Sequence, residues 1–227
     1  MKRKFFYLFC LLVSKVAFLQ SRIKSPVKYT VKFEDIPLPA PVKTGGKALR
    51  QNLNERKSTR TFTSDNLSMQ QLSDLLWAGW GINRPVSRLR TAPSSRNIQE
   101  IDIYVLLPGG IYLYDAELNI MKQIHGRDIR KYCGTQDFVA DAPVNLVFVA
   151  DMAKLGKKEG AKITDSDLLN SWANTGFIAQ NIYLFCASEN LGCVIRTMIS
   201  RDKLATKMSL RLNQIITLSQ TVGILKR

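Results

Sequence analysis

Five consecutive residues, Arg56-Lys57-Ser58-Thr59-Arg60, hold three cations and two hydroxyls directly after a short helical pattern. Guanidinium forks supply charge and directed hydrogen bonds at once, and hydroxyls add further donors, so the set suits a phosphate monoester. A solvated basic loop has the same composition, and for this segment alone it is the commoner outcome. A second polar run, Thr91-Ala92-Pro93-Ser94-Ser95-Arg96-Asn97, lies directly before a strand. It can present amide and hydroxyl groups to a planar, hydrogen-bonding ring, although by itself it is an ordinary turn. The third candidate, Leu191-Gly192-Cys193-Val194-Ile195-Arg196, follows a long helix, with Gly192 placed as its C-cap.

Other chemistries lack their residues. The cysteines are Cys10, Cys133, Cys186 and Cys193, with no C-x-x-C pair, and His125 is the sole histidine. A Cys/His metal site is therefore unsupported, and buried, inert thiols are expected. Ser58, Ser94 and Ser95 stand outside any G-x-S-x-G elbow, which argues against a serine hydrolase. Asp115 and Glu117 flank a turn without the logic of paired carboxylates. Trp77 and Trp80, three apart on one helix, read as core. No side chain is assigned as acid, base or nucleophile.

The elements that must position these segments follow from periodicity. Lys47 to Arg56 reads as a short helix with Ala48, Leu49 and Leu53 on its apolar side. Ser68 with Gln71 three residues on forms a capping box, and Leu72, Leu75, Leu76 and Gly79 recur at helical spacing, so Met69 to Trp80 is an amphipathic helix. Ile101 to Leu107 is a strand, Pro108-Gly109-Gly110 turns it, and Ile111 to Tyr114 returns. Val144 to Ala150 is a second apolar strand. Leu168 to Asn190 is a long helix, apolar on most faces, as expected of the core or a subunit interface. Short strands follow through Val194 and Ile195 and at Ile215 to Leu218. No G-x-G-x-x-G follows a strand, so a Rossmann fold is unsupported. The class is α+β.

The chain has 227 residues, 45% hydrophobic and 22% charged, as for a globular protein. Its net charge of +15 is uneven, because eight cations precede the first acid, Glu34. A nucleic-acid partner is accordingly not expected. Residues 1–21 join a basic start (Lys2, Arg3, Lys4) to a short apolar run, the order of a signal peptide, so export to the periplasm or another extracytoplasmic space is expected, with no stable membrane insertion after its removal. Residues 22–46, rich in proline and glycine, read as an extended linker or arm. The folded domain is expected over 47–227.

In order, Arg56 to Phe62, Leu75 to Arg84, Thr91 to Asn97, Asp141-Ala142-Pro143, Thr175 to Asn181, Ser219 to Gly223 and Lys226 resemble the nitroreductase family, most of all its branch with the azoline-oxidising (thiazole- and oxazole-forming) dehydrogenases. The resemblance implies an FMN-binding fold with a central, mostly antiparallel sheet flanked by helices, in an intertwined homodimer. It places Arg56, Lys57, Ser58 and Arg60, with Lys226, at the FMN phosphate. Pro93, Ser94 and Asn97 fall where the family approaches the isoalloxazine and ribityl groups, often from the partner subunit. The stretch from Gly192 to Thr197, including Arg196, falls at the flavin ring edge, where donors tune its potential.

The implied activity is that of an FMN-dependent oxidoreductase. It would pass electrons in ping-pong fashion from a reduced nicotinamide or other donor to a small acceptor such as a nitroaromatic or quinone. A dehydrogenase running the flavin the other way and a non-catalytic flavin-binding module are the alternatives. The branch usually has glycine where Thr197 stands, an aromatic and an acid where Ile199-Ser200 stand, and Gly-Tyr-Pro-Lys where Gly223-Ile224-Leu225-Lys226 stand. The first two departures keep the non-catalytic alternative open.

Overall fold

A computed structural model describes residues 34–226. The leader expected at 1–21 and the first part of the arm lie outside the described residues. Strands β1 (Ile36–Pro37), β4 (Ile101–Leu107), β5 (Gly110–Asp115), β6 (Ile120–His125), β7 (Val144–Asp151), β8 (Leu191–Arg196) and β9 (Gln214–Ile224) form one sheet in the order β1-β6-β5-β4-β7-β9-β8. Every neighbouring pair is antiparallel. A separate hairpin joins β2 (Ile82–Arg84) to β3 (Leu89–Arg90). Strand β7 is buried along all eight residues, which is why its sequence reads as a continuous apolar run.

Helices α1 (Leu49–Glu55), α2 (Met69–Trp80), α3 (Phe138–Asp141), α4 (Asp165–Ser188) and α5 (Arg201–Lys207) flank the sheet. One face packs Leu72, Leu75 and Leu76 of α2 and Ile178 and Ile182 of α4 against Phe148 and Leu146. The other packs Val139, Leu204 and Met208 against Leu106, Val147 and Val149. Gly79 lets α2 approach α4 closely, since a Cβ there would lie 2.9 Å from Ile182 Cγ1. The expected α2 boundaries hold, and the Ser68–Gln71 capping box is formed in both directions.

Three expectations need correction. The arm is extended, but from Glu34 onward it belongs to the body. Ile36–Pro37 pairs with β6, Leu38 is buried, and Ser73 Oγ donates to the Pro39 carbonyl at 2.6 Å. In α1, Leu49 and Leu53 are exposed. The buried residue is Asn52, whose Nδ2 donates to the Lys47 carbonyl, so this short helix is held by polar anchoring. Gly192 is not the C-cap of α4. The helix closes at Glu189, and Asn190 takes the left-handed turn at φ 54°, a conformation asparagine tolerates. Gly192 lies inside β8 for a different reason, given below. No helix among the described residues is long and apolar enough to cross a membrane.

Candidate functional site

The basic loop is laid along the edge of the sheet. Arg56 ends α1 with ψ 122°, turning the chain extended. Ser58 bridges Cys193 in parallel, Thr59 N–H donates to the Cys193 carbonyl at 2.9 Å, and Phe62 bridges Leu225. This close approach explains Gly192, because a Cβ there would sit 2.8 Å from Leu225 Cδ2 and 3.0 Å from Phe62 Cε1. Extended backbone sends alternate side chains to opposite sides. Lys57 and Thr59 line a cavity of about 370 Å³ with Asn54, Tyr183, Cys186 and Asn190. The antiparallel Phe62–Leu225 bridge sets Lys226 opposite Thr61. Of the five residues expected to hold a phosphate, Arg56 and Ser58 meet at Tyr183, and Lys57 lines the cavity beside it.

No carboxylate among the described residues pairs with Arg56, Lys57 or Arg60. The nearby Glu55 is engaged by Lys47 at 2.8 Å, and hydrogen bonds from Lys47 and Gln51 hold its carboxyl below the ordinary range. The loop therefore presents uncompensated positive charge. Tyr183, a buried residue of α4 that reading by motif passes over, organises this end of the site. Its hydroxyl lies 2.8 Å from Ser58 Oγ and accepts from Ile195 N–H at 2.9 Å, and the Arg56 guanidinium stands 5.2 Å above its ring. It is the one tyrosine of α4.

The second segment is folded tightly but elsewhere. Arg96, Asn97 and Gln99 all have positive φ, between 52° and 56°. Gln99 pins the turn: its N–H donates to Ser94 Oγ, its amide to Asn97 Oδ1, and its Oε1 accepts from Arg90 Nε at 2.6 Å. Ser95 and Arg96 line a cavity of about 170 Å³ with Ser166, Asp167 and Asn170, on the first turns of α4, while Pro93 is exposed. Tyr183 lies on the last turns, about 20 Å further along at 1.5 Å per residue. One chain does not bring the two segments together. Between them Leu169, Trp172, Ala173, Gly176, Phe177 and Gln180 form an exposed stripe at helical spacing. Leu169 is 69% and Phe177 48% exposed, too much apolar surface on one stripe for a solvated helix face. The all-round apolarity of α4 is thus two stripes, one in the core and one open.

Arg196 turns inward. Its guanidinium donates to the Cys133 carbonyl at 2.6 Å, to Asn145 Oδ1 at 2.9 Å and to Ser219 Oγ at 2.6 Å, with Phe138 stacked 6.0 Å away. It has no acid partner there, and burial pushes it down to about 10 while leaving it charged at neutral pH. Its side chain ties the second core face to β8; the exposed Thr197 follows it in the chain. Replacing Arg196 with methionine should lower unfolding free energy by about 3 kcal/mol, near the sum of three modest hydrogen bonds. A urea titration measures this; an unchanged midpoint would show the network to be dispensable. Cys133, Cys186 and Cys193 are free and buried, and burial pushes the Cys133 thiol up to about 12, as for an inert residue.

The nitroreductase family model matches residues 53–224, which takes in every segment of the site except Lys226. A solved structure described as a nitroreductase of Ralstonia eutropha JMP134 is 41% identical, covers 85% of this chain and 90% of its own, and superposes with a TM-score of 0.78. The E. coli microcin synthetase McbBCD complex with truncated pro-MccB17 bound has a chain 15% identical, covering 93% of this chain and 82% of its own, with a TM-score of 0.62. A nitroreductase in complex with FMN from Desulfovibrio desulfuricans is 18% identical, covers 81% and 89%, and has a TM-score of 0.57. The last two share the fold, and the first shares sequence along nearly its whole length. With an antiparallel sheet of this order and a family match over most of its residues, the chain belongs to the nitroreductase family.

Proposed function

We propose that this protein is an FMN-dependent oxidoreductase that works as a homodimer with each flavin site completed by both subunits. The observation that carries the reading is the division of the site along α4. Arg56 and Ser58 lie against Tyr183 at one end, the Ser94–Asn97 turn lies at the other, and an apolar stripe runs between them. The stripe is centred between Ala173 and Gly176. A two-fold axis there sets Ser166 of one subunit against the partner subunit's Tyr183, and so joins one chain's Ser94–Asn97 turn to the other's basic loop.

The chemistry of the donor set fits FMN. Arg56, Arg60 and Lys226 supply charge and Ser58 a hydroxyl for a terminal phosphate, and none of the three cations is neutralised by a carboxylate among the described residues. Ser94 and Asn97 offer polar groups to the ring system from a turn whose conformation Gln99 fixes. Beyond β8 the exposed Thr197 would offer its backbone to the same ring. Bound FMN supplies the redox chemistry, accepting an electron pair from a donor such as a reduced nicotinamide and passing it to a small acceptor such as a nitroaromatic or quinone. The protein's part is to hold the phosphate, fix the ring and leave one face open to substrate.

Purified protein from about Lys24 onward should be yellow and release FMN on heating, near one per chain. It should also oxidise a reduced nicotinamide with a nitroaromatic or quinone acceptor. A colourless protein that added FMN does not reconstitute would overturn the reading.

A further inference from the structure

We propose that Tyr183 is a positioning residue that aims the Ser58 hydroxyl at the cofactor phosphate. This rests on the FMN reading above and deepens it. The argument is a count of protons. A phenol carries one hydrogen to donate and accepts through its oxygen. The Tyr183 oxygen already accepts Ile195 N–H at 2.9 Å, and its partner at 2.8 Å is Ser58 Oγ. Two assignments are open: Tyr183 donates to Ser58, or Ser58 donates to Tyr183.

Burial decides between them. Tyr183 is 6% exposed, and Ser58 Oγ is the one acceptor within its reach among the described residues. If Ser58 donated, the phenolic proton would be left unpaired inside the protein, at a cost of about 1–3 kcal/mol. Ser58 is exposed, so its own proton meets solvent or a ligand whichever way it turns. Tyr183 therefore donates to Ser58, and the Ser58 proton points outward, on the side shared with Arg56. The same ring lies beneath the Arg56 guanidinium. One buried side chain thereby orients two of the phosphate ligands and ties them to Ile195 on β8.

The test compares the phosphorylated and unphosphorylated flavins, FMN and riboflavin, because a merely structural role would move both. Apoprotein is titrated with each, following flavin fluorescence, in wild type, Tyr183→Phe, Ser58→Ala and the double variant. Phenylalanine keeps the ring and the Arg56 stacking and removes only the hydroxyl. FMN should bind about tenfold more weakly to either single variant, as for one lost hydrogen bond to a charged group. The double variant should be little weaker than either, since both changes break one chain of donors. Riboflavin affinity should not change, and Ser58→Thr, which keeps a hydroxyl, should retain most FMN affinity.

Equal weakening of FMN and riboflavin in Tyr183→Phe, or losses that multiply in the double variant, would overturn the positioning role while leaving the FMN reading intact. Wild-type protein that binds neither flavin would overturn the FMN reading and the positioning role with it.

Discussion

Alanine at both Arg56 and Arg60 should strip FMN from the protein without unfolding it. Each guanidinium contributes charge-assisted hydrogen bonds to a phosphate, at about 2 kcal/mol per residue, so the pair is worth about 4 kcal/mol. That corresponds to a loss of affinity on the order of a thousandfold. Riboflavin, which lacks the phosphate, should bind variant and wild type alike. The fold should survive, because Arg60 is exposed and neither residue makes an ion pair that the sheet depends on. A thermal melt within a few degrees of wild type, alongside a colourless preparation, is the expected pair of results. FMN retained at full affinity would place the phosphate elsewhere and remove the support for the whole site.

Arginine at Gly176 should have a comparable effect from a residue distant from the basic loop. Gly176 lies at the middle of the open stripe of α4, and a Cβ there would meet nothing within 4 Å in its own chain. A larger residue suits an isolated helix better than glycine, so the subunit itself should be no less stable. Across a two-fold axis, however, two arginines would meet in an apolar contact with no counter-charge. The cost of burying them is several kcal/mol, which weakens association on the order of a thousandfold or more. Analytical ultracentrifugation should show monomers at micromolar concentration, and the same monomers should have lost FMN, since each proposed site takes groups from both chains. A monomer that keeps its flavin would show that one chain suffices. An unchanged dimer would show that the stripe faces something else.

The sequence was most legible where one signal acted alone. Met69–Trp80 was readable to the residue because an apolar period of 3.6 coincided with a two-way capping box, and Ile101–Leu107 because branched residues ran to a proline-glycine turn. Strand β6 was not legible, since Lys122, Gln123 and His125 dilute its apolar residues at the less buried side of the sheet. Helix α5 buries only Leu204, too little to mark a period. The start of α4 was misplaced by three residues because its signal is the Thr164–Asp167 capping box rather than apolar spacing. Within the site, residue type alone left the Arg56–Arg60 run as a solvated basic loop, and the family resemblance assigned Arg56, Lys57, Ser58 and Arg60 to a phosphate. The inward turn of Arg196 depends on acceptors 23 to 63 residues away. Tyr183 has no motif around it and becomes visible only when hydrogen bonds are counted.

Both ends of the seven-stranded sheet are closed, by different means. At one, β1 is two residues long and ends in Pro37, which has no N–H to offer a neighbouring molecule. At the other, the exposed row of β8 is occupied by the backbone of Ser58 and Thr59. The loop proposed to hold FMN is therefore also the one that covers this edge at Cys193, so protection against sheet-to-sheet pairing is tied to the same segment. Side chains on that loop can change as substrates and cofactors demand. Its main chain cannot be shortened or lifted from β8 without exposing an edge long enough to recruit a second copy of itself.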